Sequence, residues 1–303
     1  MKARGARLPP LFIVGAPRSG TSLLYRTLAL HPGAAWISNY QRHAPGFGGV
    51  AGLNRIGAAT PHRRRAVWFG NAGDNAYRYG SPRTLIERFY PQPVEGEPVF
   101  EHCGVHEPWH GEPITDRQRR LPGLLERTTA AAGGRVLISK RIGNNRRIPL
   151  LHEWIPDARF LDVTRDGHAV AYSLSRVDWW PKADVWWFGG TPEDWAAQGR
   201  NPLEMCARHW VEETRAIDIG LGDVPSSQVA RMTYEDLVAA PQTVLAQAAA
   251  FAGLDPDDRA WRRELLAIKF PDKNAAWSVG LDAAERDAMS IMNDQLAALG
   301  YPR

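Results

Sequence analysis

The chain has 303 residues, 44% of them hydrophobic, and a net charge of +4. That length can bury one large α/β core or two small ones, and the mild positive balance suits an anionic small ligand without the footprint of a nucleic-acid surface. Two cysteines, Cys103 and Cys206, make no disulfide framework and no metal spacing; no run approaches the roughly 18 apolar residues of a membrane span.

Leu11 to Val14 is a short apolar run of the kind a fully buried parallel strand shows. It is too short for the core of a signal peptide, and two cysteines without a disulfide framework make a reducing cytoplasm the expected location. Gly15 to Gly20 is a loop with two glycines and a proline. Leu23, Leu24, Leu28 and His31 then share one helical face, until Pro32-Gly33 stops it. A strand feeding a glycine loop that opens a helix presents backbone N–H groups and the positive end of the helix dipole to an anion. The triphosphate loop G-x-x-x-x-G-K-[ST] is matched at Gly15, Gly20 and Ser22, but Thr21 stands in place of its lysine. The cation sits inside the loop as Arg18, beside the hydroxyls of Ser19, Thr21 and Ser22. That set predicts a smaller anion, bound without metal.

Ala34 to Ile37 reads as a second short strand. Ser38 to Glu112 reads as a long, loop-rich insertion, and its Arg63-Arg64-Arg65 run as a solvated face. Ser81 to Phe89 is a candidate helix with Ser81 as cap and Pro82 at its first position. A helical stretch runs from Thr115 or Asp116 to about Ala132, interrupted by Pro122 and ended by Gly133-Gly134. Arg135 to Lys140 is a buried strand, Arg146 to Trp154 a helix, and Ala158 to Arg165 another strand. Asp166 caps a helix to about Val177.

Tryptophans then cluster: Trp179, Trp180, Trp186, Trp187 and Trp195. The segment lacks helical or strand periodicity. It is equally an aromatic acceptor wall or a hydrophobic plug. Pro202 to Gly220 is an amphipathic helix, and Gln228 to Thr233 a strand ahead of Tyr234-Glu-Asp-Leu237. The last helix opens at Asp282 with Glu285 as a capping box and ends at Gly300 and Pro302. Strands separated by helices predict an α/β fold, a parallel β-sheet flanked by helices. No repeat or linker divides it, so one domain over 1–303 is expected, with insertions at about 38–112 and 178–200.

Thr164-Arg165-Asp166-Gly-His-Ala-Val-Ala-Tyr-Ser173 is a second informative stretch. Arg165 ends a strand, at the edge where open α/β sheets bind ligands. Its planar fork suits phosphate, and Ser173, eight residues on, adds a hydroxyl. Together, Gly15-Ala-Pro-Arg-Ser-Gly-Thr-Ser22 and the Phe160 to Ser173 stretch resemble the two anion motifs of the sulfotransferases that use 3′-phosphoadenosine 5′-phosphosulfate (PAPS). The resemblance holds in residue type, spacing and order. It implies the P-loop-like sulfotransferase fold of a bacterial member. The implied reaction is metal-free transfer of a sulfuryl group to a hydroxyl or amine of a small-molecule or glycan acceptor. Pro17, Arg18, Ser19, Gly20, Thr21 and Ser22 are implied to cradle the 5′-phosphosulfate, and Arg165 with Ser173 the 3′-phosphate.

Lys140-Arg-Ile-Gly-Asn-Asn-Arg-Arg-Ile-Pro-Leu-Leu resembles the Lys-x-Pro-x-Asn-x-x-Arg-Ile-x-x-Leu region of bacterial members, with Ile142 replacing the proline. Lys140 is thereby implied to lie against the sulfuryl group. Tyr234 resembles the family tyrosine near the adenine. Lys273-Asn274-Ala-Ala-Trp277 resembles the loop that closes over the nucleotide.

The base follows neither familiar pattern. Ile142 occupies the place of the histidine of animal cytosolic enzymes, and His31 to Tyr40 lacks the glutamate of Golgi-type enzymes. Tyr90 to His102 resembles a Pro-x-Glu segment of bacterial relatives and points to Glu95, with Glu101, His102 and His43 as alternatives. The implied catalytic set is Lys140, Glu95 and Arg18. Two other readings stand beside it: a phosphotransferase of the same fold with Asp162 as a magnesium ligand, against which Thr21 counts, and a non-catalytic nucleotide- or glycan-binding protein. No H-E-x-x-H, C-x-x-C or carboxylate cluster predicts a metal site. The acceptor and the oligomeric state are left open.

Overall fold

The computed structural model describes residues 7–70, 89–106 and 114–302; all but Phe89 of the Ser81 to Phe89 helix expected from sequence lies outside them. Five strands form one parallel sheet in the order β2-β3-β1-β4-β5. They are β1 (Leu11–Val14), β2 (Ala34–Ala35), β3 (Val136–Lys140), β4 (Arg159–Thr164) and β5 (Val229–Thr233). The central β1 pairs Phe12 with Ser139 of β3 on one side and with Phe160 of β4 on the other.

Every residue of β1 is buried, because its two faces meet two different cores. Leu11 and Ile13 pack against Leu24 and Leu28 of α1 (Thr21–Ala29). Phe12 and Val14 face Leu124 of α2 (Leu121–Ala132), Ile148 of α3 (Ile148–Trp154) and Ile217 of α5 (Pro202–Leu221). Side chains alternate along a strand, so a strand covered on both faces reads as an unbroken apolar run. α4 (Gly167–Leu174) follows β4, and α6 (Tyr234–Ala239) and α7 (Pro241–Phe251) follow β5. A third cluster lies beside α4 and α5. There Trp180, Val185 and Trp195 pack with Cys206, Trp210, Met289 and Met292.

Three expectations need correction. The described parts of the Ser38 to Glu112 region are not loop-rich; they hold the short helices Asn39–His43, Asn54–Ala59, Pro61–Phe69 and Glu97–His102. Helices of five to nine residues are too short to display a clear 3.6-residue pattern. The Arg63 to Arg65 run is not simply a solvated face. The helix turns Arg64 inward, where it is 4% exposed, donates to the Leu30 carbonyl and lies over the Trp68 ring, while Arg65 pairs with Glu264 at 3.1 Å. Pro122 does not interrupt a helix; it sits in the first turn of α2, where its missing N–H is not needed. The capping box of Asp282 and Glu285 forms as expected.

β1 delivers the chain to Gly15 at φ +150°, where a Cβ would lie 2.5 Å from the Val163 carbonyl oxygen. Gly15→Ala is therefore expected to lower stability by more than ~1 kcal/mol, read as a lower urea midpoint with an unchanged slope.

Candidate active site

The carboxyl ends of β1, β3, β4 and β5 bring the marked stretches to one edge of the sheet, the edge at which open α/β folds bind ligands. The loop after β1 is held tightly. Ser19 N–H donates to the Ala16 carbonyl at 3.2 Å. Gly15 N–H donates to Asn145 Oδ1, and Asn145 Nδ2 donates back to the Gly15 carbonyl, each at 3.1 Å. Arg18 has φ +72°, the one non-glycine in the left-handed region among the described residues. Such a backbone costs of order 1–3 kcal/mol and gathers at functional sites. Gly20, at φ +84°, precedes the N-terminus of α1; a Cβ there would lie 2.6 Å from Tyr234 Cδ2. Ser19 is buried, and its Oγ has no hydrogen-bond partner among the described residues. A buried hydroxyl of this kind, beside loop N–H groups at a helix N-terminus, matches the donor set of an anion cradle.

Arg165 fastens three segments together. Its Nη1 donates to the Arg18 carbonyl at 2.9 Å, Nη2 to the Lys273 carbonyl at 3.1 Å, and Nε to Asn274 Oδ1 at 2.8 Å. Its guanidinium lies 4.2 Å from the Tyr234 ring centroid. Glu235 takes a hydrogen bond from Asn274 Nδ2 at 2.6 Å and another from the Tyr301 hydroxyl at 3.0 Å. Tyr234 donates to the Pro271 carbonyl at 3.0 Å, and Arg18 Nε to Ser173 Oγ at 3.0 Å.

On the other side runs a chain of alternating charges. Lys140 Nζ lies 2.5 Å from Glu95 Oε1, and Arg141 holds Glu95 Oε2 at 3.1 Å. Arg141 also reaches Glu97 at 3.0 Å, and the fully buried Arg147 binds both Glu97 oxygens, at 3.0 and 2.7 Å. Arg147 lies over the Phe100 ring and donates to the Val105 carbonyl. Burial pushes the Glu95 carboxyl up, but Lys140 and Arg141 outweigh it and hold it below the usual range. Glu97 balances the same way: burial raises it, and Arg147 with Arg141 bring it below.

Between these groups lies a cleft of about 580 Å³. It is bordered by Pro17, Arg18, Gly20, Thr21 and Ser22, by Glu95, Lys140 and Arg141, and by Arg165, Tyr234 and Lys273. Leu23, Phe69, Ile142, Trp179 and Pro271 give it an apolar side. Ser19 and Ser173 stand behind this lining, Ser173 linked to it through Arg18. His43, Glu101 and His102 are exposed and do not line the cleft. Asp162, in β4, lies outside it as well; burial raises its carboxyl to about 7, and its nearest cation is Arg231 at 3.5 Å. Of the clustered tryptophans only Trp179 borders the cleft; Trp180 and Trp195 are buried in the third core, where they serve as a plug.

Sequence reading missed Phe69, which follows the arginine run, and the support given to Asn145 by Glu213, which is fully buried and takes a hydrogen bond from Asn145 Nδ2 at 2.6 Å. The signal for Glu213 was its place on the stripe Cys206, Trp210, Ile217 of α5, where a carboxylate is out of keeping.

A family-wide profile described as the sulfotransferase family matches residues 9–258. Sulfotransferase STF9 from Mycobacterium avium shares the fold at TM-score 0.60 and 15% identity, over 98% of this chain and 78% of that one. STF1 from Mycobacterium tuberculosis H37Rv gives 0.54 at 15% identity, over 94% and 77%. The sulfotransferase domain of the Synechococcus PCC 7002 olefin synthase gives 0.50 at 20% identity, over 98% of both chains. At these identities the likeness is one of fold. No curated protein matches the chain in sequence.

Glu97→Gln removes the counter-charge of buried Arg147 and is expected to cost about 3–5 kcal/mol at pH 7, measured by denaturant unfolding. Because the folded carboxyl sits below its ordinary value of 4.5, its contribution is complete above that pH. The gap between wild type and variant should therefore close as the pH falls through the folded value.

Proposed function

The chain belongs to the sulfotransferase family, and we propose that it transfers the sulfuryl group of PAPS to a hydroxyl of a small-molecule acceptor. One juxtaposition supports the reading: the loop at the head of α1, Arg165 with Lys273, and Lys140 with Glu95 all border a single cleft. The donor carries two anionic ends, and the residues present suit both. Pro17 to Ser22 would hold the 5′ end with N–H groups and hydroxyls; Arg18, Arg165 and Ser173 would serve the 3′-phosphate, and Tyr234 with Lys273 the nucleoside side. When bound, PAPS supplies a sulfuryl group joined to a phosphate that leaves readily.

The chain's own residues then divide the work. Lys140 neutralises charge that develops on the transferring group and its leaving oxygen. Glu95 accepts the proton of the acceptor hydroxyl as that oxygen bonds to sulfur and the sulfur–oxygen bond to the phosphate breaks. The two groups begin as a pair, 2.5 Å apart. Once Lys140 turns toward an anion, Glu95 loses its strongest counter-charge and becomes the stronger base, while Arg141 keeps it in place.

The apolar side of the cleft suits an acceptor with a ring or hydrocarbon body. Among the described lining residues, Arg18, Arg26, Lys140, Arg141, Arg165 and Lys273 stand against Glu95 alone. That balance favours a neutral hydroxyl over an ammonium group. Both cysteines are free and buried, in keeping with a reducing compartment such as the cytoplasm. No helix among the described residues is long and apolar enough to cross a membrane.

Calorimetry with the product nucleotide, 3′-phosphoadenosine 5′-phosphate (PAP), in the absence of magnesium tests the donor. Binding is expected, weakened at least tenfold by Arg165→Ala. Magnesium-dependent ATP binding with indifference to the 3′-phosphate would overturn it. For the base, a radiolabelled PAPS assay over phenols, alcohols and amines should show Glu95→Gln lowering turnover ~100-fold or more with PAP affinity retained. Unchanged turnover removes Glu95 from that role.

A further inference from the structure

Glu213 is fully buried in the middle of α5 and does not border the cleft. Its carboxylate is nonetheless where the anion loop and the tryptophan segment are joined. Oε2 accepts from Asn145 Nδ2 at 2.6 Å, and Asn145 in turn holds both backbone groups of Gly15, the first residue of the anion loop. Oε1 accepts from Arg146 Nη1 at 2.5 Å and from Trp186 Nε1 at 2.9 Å. The Arg146 guanidinium lies 5.1 Å from the Trp186 ring. One turn back on the helix, His209 Nδ1 accepts from Trp187 Nε1 at 3.1 Å, and its other nitrogen faces Glu213 Oε1 at 3.8 Å. Burial draws His209 down to about 4, so the ring is neutral and free to accept. The same tryptophan segment begins with Trp179, which borders the cleft.

The donor and acceptor pattern makes this arrangement specific. A carboxylate only accepts hydrogen bonds. Asn145 must therefore turn its NH₂ toward Glu213, which leaves its carbonyl oxygen for the Gly15 N–H. A glutamine at 213 has one oxygen and one NH₂. Whichever way it lies, its NH₂ meets a donor, either Asn145 Nδ2 or the Arg146 and Trp186 pair. If Asn145 flips to relieve the clash, its own NH₂ meets the Gly15 N–H. No orientation keeps both the loop and the tryptophan segment attached.

We propose that Glu213 is a positioning residue that fixes the anion loop and the tryptophan segment to each other, so that an anion on the loop steadies that segment. The inference rests on the PAPS reading for the choice of ligand alone. By linkage, an anion that steadies Gly15 steadies Trp186 through Asn145 and Glu213.

Hydrogen exchange of the whole protein, with and without PAP, tests it in peptides covering 11–20, 183–190 and, as a control, 159–164. In the wild type, PAP is expected to slow exchange in both the loop and the tryptophan peptides. In Glu213→Gln, exchange without ligand should rise about tenfold in both and stay unchanged in the control; PAP should then protect the loop peptide alone. Trp186→Phe removes the indole donor and keeps an aromatic ring beside Arg146. It should leave the loop peptide as in the wild type and abolish the response of 183–190 to PAP. If Glu213→Gln does not fold, this second variant decides. A tryptophan peptide that still responds to PAP in the variants, or that ignores PAP in the wild type while the loop responds, overturns the proposal. If the wild type binds no PAP, the donor reading falls by itself. Exchange without ligand in Glu213→Gln then decides this one, a rise in both peptides supporting it and a rise in one or neither overturning it.

Discussion

A buried strand that must turn directly into a helix, with its N–H groups left pointing outward, is the constraint from which the rest of the molecule follows. The backbone between Val14 and Thr21 cannot make that turn in ordinary conformations, and it uses φ +150° at Gly15, +72° at Arg18 and +84° at Gly20. A loop of this kind stays in place only if its neighbours over-determine it. Asn145 grips its first residue, Arg165 its fourth through the Arg18 carbonyl, and the Tyr234 ring fills the space beside Gly20. Each of these comes from beyond a different strand, so the sheet order itself brings the supports to the loop.

The second organising feature is charge. From Arg147 in the interior to Lys140 at the cleft, five groups alternate in sign: Arg147, Glu97, Arg141, Glu95, Lys140. Buried pairs of this kind add little net stability over an apolar core, because desolvation offsets most of the attraction. What they add is position. Glu97, Arg141 and Glu95 each have a partner on both sides, Arg147 adds the Val105 carbonyl, and Lys140 ends the chain at the cleft.

Much of this was legible in the chain. β1, β3 and β4 stand out as short, largely apolar runs, since a strand covered on both faces cannot hide its composition, and α5 shows its stripe over 20 residues. The loop after β1 and Arg165 were readable because such a turn demands glycine at fixed places and the strand end carries an arginine. The helices between Asn39 and Phe69 were not, as five to nine residues are too few for a period to emerge. Nor does Arg63-Arg64-Arg65 reveal locally that its middle member turns inward to Leu30. Glu95 entered through resemblance to a family segment. That its partner is Lys140, 45 positions away, is a fact of folding that no local pattern carries.

The Lys140–Glu95 pair also decides which charges the cleft presents. The two charges cancel, and each occupies the other's hydrogen-bonding atoms. A stray water in the cleft thus meets neither a naked carboxylate nor an idle ammonium. A bound anion that draws Lys140 away leaves Glu95 to Arg141 alone, so filling the cleft and baring the carboxylate are one event.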